Sequence, residues 1–158
     1  MMRAIRKFLA LPGAERWLLV QAMAALPLVT LILVTLGPRR CYLALARLAP
    51  ITVGGALSAT SAGRRASRTA WLVRVASIHG LVKGNCLGQS LTVWCLLRRQ
   101  GIPASLRIGV RIRHGRLEAH AWTEHRSRVL NDDADVGRRF SPFDDVHGVF
   151  ERRSAELR

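Results

Sequence analysis

Residues 85–113 limit the fold more than any other part of this chain. Asn85 is a good helix N-cap, so Cys86 becomes the first helical residue. Leu87, Leu91, Trp94 and Leu97 then recur at steps of four and three, which makes one apolar helix face. Gly101 closes that helix and Pro103 prevents its continuation. From Ser105 to Arg113 the period changes to two. Leu106, Ile108, Val110 and Ile112 share one face of a half-buried strand, and Arg107, Arg111 and Arg113 share the other. His114-Gly115 reads as a turn into a second strand over 117–124, and a short turn near Arg126 leads to a third over Arg128–Asn131. A helix running straight into an antiparallel meander predicts an α+β fold, with the helix packed on the sheet.

The preceding part of the chain is apolar. No charged residue occurs from Trp17 to Leu36, a stretch as long as a transmembrane helix, bracketed by Arg16 and Arg39-Arg40. Pro27 near its middle predicts a break into two shorter helices that pack against the rest of the chain. Arg3, Arg6 and Lys7 precede an apolar region as in a signal peptide, but Glu15 and Arg16 interrupt it before Ala22-Met23-Ala24. Residues 39–49 continue as helix, and residues 50–63, rich in Gly, Ser, Thr and Ala, read as a linker. Helical spacing resumes at Trp71, Val75, Ile78 and Val82 and stops at Gly84. The expected organisation is therefore an apolar helical region with its linker over 1–63, and a core domain over 64–158.

A net charge of +15 favours an acidic partner or an anionic surface. The arginines are scattered and no nucleic-acid recognition motif accompanies them, so nucleic acid is not expected as a partner. Three cysteines imply no disulfide framework. Cys86 and Cys95, nine residues apart on one helix, face opposite ways at about 13 Å along its axis and cannot pair. A reducing cytoplasm fits this usage, with residues 17–36 as the part able to meet a membrane.

The chemistry-bearing residues follow from position. A thiol at a helix start meets free backbone N–H groups and the positive end of the dipole, which favour thiolate. That singles out Cys86; Cys41 and Cys95 read as packing, as most cysteines do. Most histidines are structural or solvent-exposed, but His120 lies within a strand, on a face shared with Glu118, Trp122 and Glu124. His114, His125 and His147 fall in turns or the tail, and His79 near a helix end. No CxxC, HExxH or HxxxH spacing is present, so no metal site is expected. The third residue depends on register. A turn centred on Arg126 puts Asp132 opposite His120, whereas a two-residue loop Arg126-Ser127 puts Asp133 there. Cys86, His120 and Asp132, with Asp133 the alternative, form a candidate nucleophile–base–acid set.

Three blocks carry a resemblance: Cys86-Leu87-Gly88-Gln89-Ser90-Leu91, then residues 97–110 from Leu97 to Val110, then His120-Ala121-Trp122-Thr123-Glu124. Together with Leu130-Asn131-Asp132-Asp133 and Ser141-Pro142-Phe143, they resemble transglutaminase-like cysteine enzymes. More narrowly, they are similar to the leader peptidases of bacterial lasso-peptide biosynthesis. The resemblance implies a transglutaminase-like (papain-like) core, with Cys86 as nucleophile, His120 as general acid and base, and Asp132 as orienting acid. It implies hydrolysis of one peptide bond of a precursor peptide, with no cofactor in the chain; acyl transfer to an amine and a membrane-associated binding role without turnover are the alternative readings. The implied partners are a separate leader-recognition domain protein and an asparagine-synthetase-like macrolactam cyclase. Nothing before residue 70 reads as the winged, strand-rich leader-binding fold, so that domain is expected on another protein.

Overall fold

The computed structural model describes residues 10–49, 58–80, 82 and 84–143. Its elements in chain order are α1 (Gly13–Leu48), α2 (Ala59–His79), α3 (Cys86–Arg99), β1 (Ser105–Arg113), β2 (Arg116–His125), β3 (Arg128–Val129), α4 (Val136–Arg139) and β4 (Ser141–Pro142). The strands form one antiparallel sheet in the order β3-β2-β1-β4.

The central element is α3. The Asn85 side chain caps it by accepting the Gly88 N–H at 2.7 Å. The expected apolar face is only part of what it buries. Ser90, Leu91, Thr92, Val93, Trp94, Cys95, Leu96 and Leu97 are all buried, because three different layers cover the helix. Val93, Leu96 and Leu97 pack with Leu19 and Ala22 of α1 and with Ala66, Ala70, Val73 and Ala76 of α2. Alanines on α2 let the helices approach closely. Leu91, Trp94 and Cys95 pack with Val29, Leu33, Cys41, Tyr42 and Leu45 of α1 and with Leu106 of β1. The Tyr42 ring stacks on Trp94 at 4.8 Å. Burying each large apolar side chain stabilises the fold by about 1.5–3 kcal/mol before ordering costs.

The apolar N-terminal region is a bent helix pair, but Pro27 is not the bend. The break lies at Gly37, whose φ of 77° leaves the helical region, and Pro38 starts the second arm. Gly tolerates this left-handed φ, and Pro at a helix start forfeits no hydrogen bond. The chain folds back sharply enough for the Cys41 thiol to lie 3.8 Å from the Val29 carbonyl. By length and composition α1 could cross a membrane. In this fold its Leu19, Ala22, Leu26, Val29 and Leu33 stripe is buried against the other helices, while Trp17, Leu28, Leu31 and Val34 face outward.

Other expectations change at their edges. The stretch 50–63, read as a linker, contains the capped start of α2: Ser58 accepts the Ser61 N–H; residues 50–57 lie outside the described residues. The boundary expected between 63 and 64 thus falls inside α2, and α1 shares its cores with α3. The α2 helix ends at His79, not at Gly84: the Gly80 N–H makes the last helical bond, to the Ala76 carbonyl at 2.7 Å, and its backbone then turns extended, with ψ −178°. The β1–β2 hairpin keeps its alternation only near α3. Leu106 and Ala121 are buried, whereas Ile112 and Leu117, paired at the far end, are exposed.

Candidate active site

The start of α3 is fitted between α1 and β2. Gly84 is closely packed: a Cβ there would meet the Leu26 side chain of α1 at 2.8 Å and displace it. A Cβ on Gly88 would come within 3.1 Å of the Asn85 capping oxygen and 3.4 Å of Thr30 of α1. Gln89 braces the same turn by donating from Nε2 to the Gly84 carbonyl at 2.7 Å. The apolar helix therefore shapes the turn that presents Cys86, which is partly exposed.

The Ser90 hydroxyl ties this turn to β2. Ser90 Oγ lies 2.7 Å from the Cys86 carbonyl and 2.9 Å from the Ala121 carbonyl, and shares its one proton between them. It also accepts from Asn131 Nδ2 at 2.9 Å. Thr123 Oγ1 donates to the Ser90 carbonyl at 2.9 Å. The Cys86 backbone is thereby one hydroxyl away from the residue next to His120. All of these groups are buried or half-buried, so each bond also relieves a desolvated polar atom.

The same network explains how Asp132 reaches His120. Glu124 pairs with Val129 and His125 with Arg128, so the loop is the two residues Arg126-Ser127, both at positive φ. That register would put Asp133 opposite His120 if the strand ran on. It does not run on. Leu130 N–H still bonds the Thr123 carbonyl at 3.0 Å, but the Thr123 N–H then goes to the Asn131 side chain at 2.7 Å. The next carbonyl along that edge, Ala121, is taken by Ser90. With the ladder ended, the chain turns and Asp132, not Asp133, hydrogen-bonds His120. The centred turn that pointed to Asp132 is corrected, while the partner itself is the one expected.

Asp132 Oδ2 meets His120 Nε2; its Oδ1 accepts from the Asp133 N–H and from Arg139 Nη2, each at 2.7 Å. Burial pushes the Asp132 carboxyl upward, but the hydrogen bonds from His120, Asp133 and Arg139 and the charge of His120 outweigh it, holding the group below its usual range. An ionised carboxylate only accepts, so His120 Nε2 carries the proton and Nδ1 is the ring atom left to exchange one. The His120 ring stacks on Phe140 at 4.9 Å, and the Arg111 guanidinium covers the other part of that wall at 4.4 Å from the Phe140 ring. Gly109 is the cross-strand partner of His120. A Cβ there would sit 3.0 Å from Phe140, from the Ser141 carbonyl and from Trp122, so only glycine lets this wall close.

The other thiols are placed for packing. Burial, reinforced by Cys95, pushes the Cys41 thiol up to about 11. Burial also raises Cys95, against the lowering effect of Arg99 and Arg98. Neither presents thiolate near neutral pH.

Two cavities flank α2. One of about 360 Å³ adjoins the pair and is lined by Trp71, Arg74, Gln89, Leu130, Asn131 and Asp132. A larger one, about 740 Å³, lies at the opposite end of α3 among Leu18, Arg64, Arg68, Leu96 and Arg99, away from Cys86.

The structure joins His120 to Asp132 and places Cys86 at the start of α3, both as the sequence suggested, whereas Ser90, Thr123, Asn131, Gly109 and Arg139 were not singled out by sequence reasoning. Ser90 carried one legible signal, a small polar residue one turn after Cys86. The others have no local pattern, because each acts across elements.

No curated protein and no solved structure matches the chain. A family model, that of the transglutaminase-like superfamily, matches residues 32–144. The match runs from the first arm of α1 past β4 and takes in the central helix, the sheet and the His120–Asp132 pair, so the chain belongs to the transglutaminase-like superfamily.

Proposed function

We propose that this protein is a cysteine peptidase that removes the leader from a ribosomally made lasso-peptide precursor. The observation that carries the peptidase reading is the His120–Asp132 hydrogen bond on the strand that Ser90 ties to the turn bearing Cys86. Superfamily membership supports thiol chemistry, and the sequence blocks resembling lasso-peptide leader peptidases support the substrate class.

In this reading the Cys86 thiolate attacks the scissile carbonyl and forms a C–S bond. His120 Nδ1, protonated by the thiol, delivers that proton to the departing amine as the C–N bond breaks. Water then attacks the thioester, giving one proton to His120 and the other to solvent as the C–S bond breaks, which releases the leader as a carboxylate and Cys86 as thiolate. Asp132 stabilises the imidazolium through Nε2 and fixes the ring, with Arg139 and Phe140 holding the pair in place. The Cys86 N–H at the helix start is a donor for the oxyanion. The reaction needs no cofactor from the chain. The partners in this reading are the precursor, a separate leader-recognition protein and an asparagine-synthetase-like macrolactam cyclase, in a reducing cytoplasm.

The test is incubation with a lasso precursor and its leader-recognition partner, followed by mass spectrometry. Two fragments whose masses sum to precursor plus one water support hydrolysis. A product joined to an added amine, with loss of ammonia or of the core peptide, would assign acyl transfer instead, the other chemistry of this superfamily fold.

A further inference from the structure

The α2 helix connects the two cavities, and its outward ridge is basic. Arg64, Arg68, Trp71 and Arg74 recur at steps of four and three, so they stand in one line. Arg64 and Arg68 border the larger cavity, whose wall also includes Arg65 and Arg99. Trp71 and Arg74 border the smaller one, beside Asp132. The Arg68 guanidinium stacks over Trp71 at 4.1 Å from its ring centre, which fixes the middle of the line.

The charge on this line is largely uncompensated. Glu15 is the one acid on the larger cavity, and it pairs with Arg68 at 2.6 Å. Among the described residues no acid pairs with Arg64, Arg65, Arg74 or Arg99. Arg68 Nε is buried without a hydrogen-bond partner, a donor at the cavity with unused capacity. On the β1–β2 hairpin, by contrast, Arg107 pairs with Glu124 and Arg111 with Glu118. A concentration of unpaired guanidinium groups beside a cavity favours carboxylates, which Arg binds in fork geometry.

We propose that the Arg64–Arg68–Trp71–Arg74 ridge is an exosite for an acidic segment of the peptide substrate, leading it from the larger cavity to the cleft at Asp132. This inference rests on the peptidase reading for the identity of the ligand, since a peptide is what must reach the cleft. An extended peptide rises about 3.3 Å per residue, so a short acidic stretch spans the ten helical steps from Arg64 to Arg74, about 15 Å. The occupant is a peptide and not nucleic acid because the line ends at a cleft whose own wall carries two carboxylates, Asp132 and Asp133, which repel a continuous polyanion.

Binding is measured by fluorescence anisotropy on the Cys86→Ala chain, with a labelled glutamate-rich peptide and its glutamine counterpart. The glutamate peptide binds and the glutamine one binds at least about tenfold more weakly, with affinity falling as salt is raised. The double variant Arg64→Glu/Arg74→Glu, both exposed positions, loses about tenfold or more. The same charge change at the hairpin tip, Arg113→Glu/Arg116→Glu, leaves affinity within about twofold. Equal losses in the two double variants would show that affinity follows total charge and would overturn the exosite. So would displacement of the peptide by single-stranded RNA at lower concentration than by unlabelled peptide. Precursor cleavage by the unaltered chain and by Cys86→Ala is read alongside. Cleavage that survives Cys86→Ala sinks the peptidase reading, whereas Cys86-dependent cleavage with no effect of the ridge variants on binding sinks only the exosite.

Discussion

The start of α3 and the first arm of α1 pack side by side, yet they are held by different forces. At the α3 start the contacts are directional: Ser90 reaches two carbonyls and an amide, Asn131 replaces a missing ladder partner, and Asp132 reaches His120. On α1 the contacts are apolar and non-directional, through Leu19, Ala22, Leu26, Val29 and Leu33, with one ion pair from Glu15 to Arg68. The outward face of α1 is apolar too, with Val34 76% and Leu31 61% exposed. The difference teaches that α1 supplies bulk and a wall, while the polar junction supplies position. Hydrogen bonds fix a geometry to tenths of an ångström; apolar burial fixes which surfaces meet.

The contrast breaks first at Cys86. Cys86→Ala is expected to abolish precursor cleavage with the fold intact, since Ala is the best helix former. Cys95→Ala retains substantial activity. Iodoacetamide at neutral pH should label Cys86 alone in the folded chain, because burial holds the Cys41 and Cys95 thiols above their usual range. Equal loss of cleavage in both folded variants would remove Cys86 as nucleophile.

Asp132→Asn comes next, with a fall in turnover of about a hundredfold or more and little change in peptide affinity. Asp133→Asn, at a largely exposed carboxylate, costs at most a few-fold. The Asp132 carboxyl lies below its ordinary range when folded, so its contribution to stability is complete above the unfolded value and disappears as pH falls through the folded one. Acid unfolding followed by circular dichroism should therefore show a shallower acid limb in Asp132→Asn. An unchanged limb would mean that the carboxylate is not held as the geometry indicates.

Two variants sharpen the comparison directly. Leu19→Ala on α1 leaves a cavity in the core and should cost about 2–5 kcal/mol in urea unfolding, with turnover per folded molecule kept. Ser90→Ala should cost less, about 1–3 kcal/mol, but lower turnover, because the tie between the Cys86 turn and β2 is lost. If Leu19→Ala lowers turnover more than Ser90→Ala does, the division between bulk and position fails.

The smallest effect belongs to the outward face of α1. Leu31→Gln should change stability by no more than about 0.5 kcal/mol, since that side chain is largely exposed. Alkaline carbonate should release the protein from any membrane fraction, because the inner stripe of α1 is already used by α2 and α3. Retention in the pellet would mean that the helix leaves this packing to span the bilayer.

The sequence by itself determined whatever is local. The cap at Asn85, the helix through Arg99, the strand Ser105–Arg113 and its turn at His114-Gly115 appear as read, because capping, periodicity and turn chemistry act within a few residues. Cys86 and His120 were legible for the same reason: a helix start and a strand face are local facts. Only the tertiary structure decided what depends on distant groups. Pro27 could not be judged a non-break from its neighbours, since the bend went to Gly37, where a positive φ and Pro38 coincide and Cys41 folds back on Val29. The end of the β2–β3 ladder was decided by Asn131 and Ser90 taking its hydrogen bonds, which no register rule contains. Gly109 matters only because Phe140, Ser141 and Trp122 converge on it from other elements. Side chains that hold a site by satisfying another element's backbone leave no periodic trace, so they become visible only when the elements are brought together.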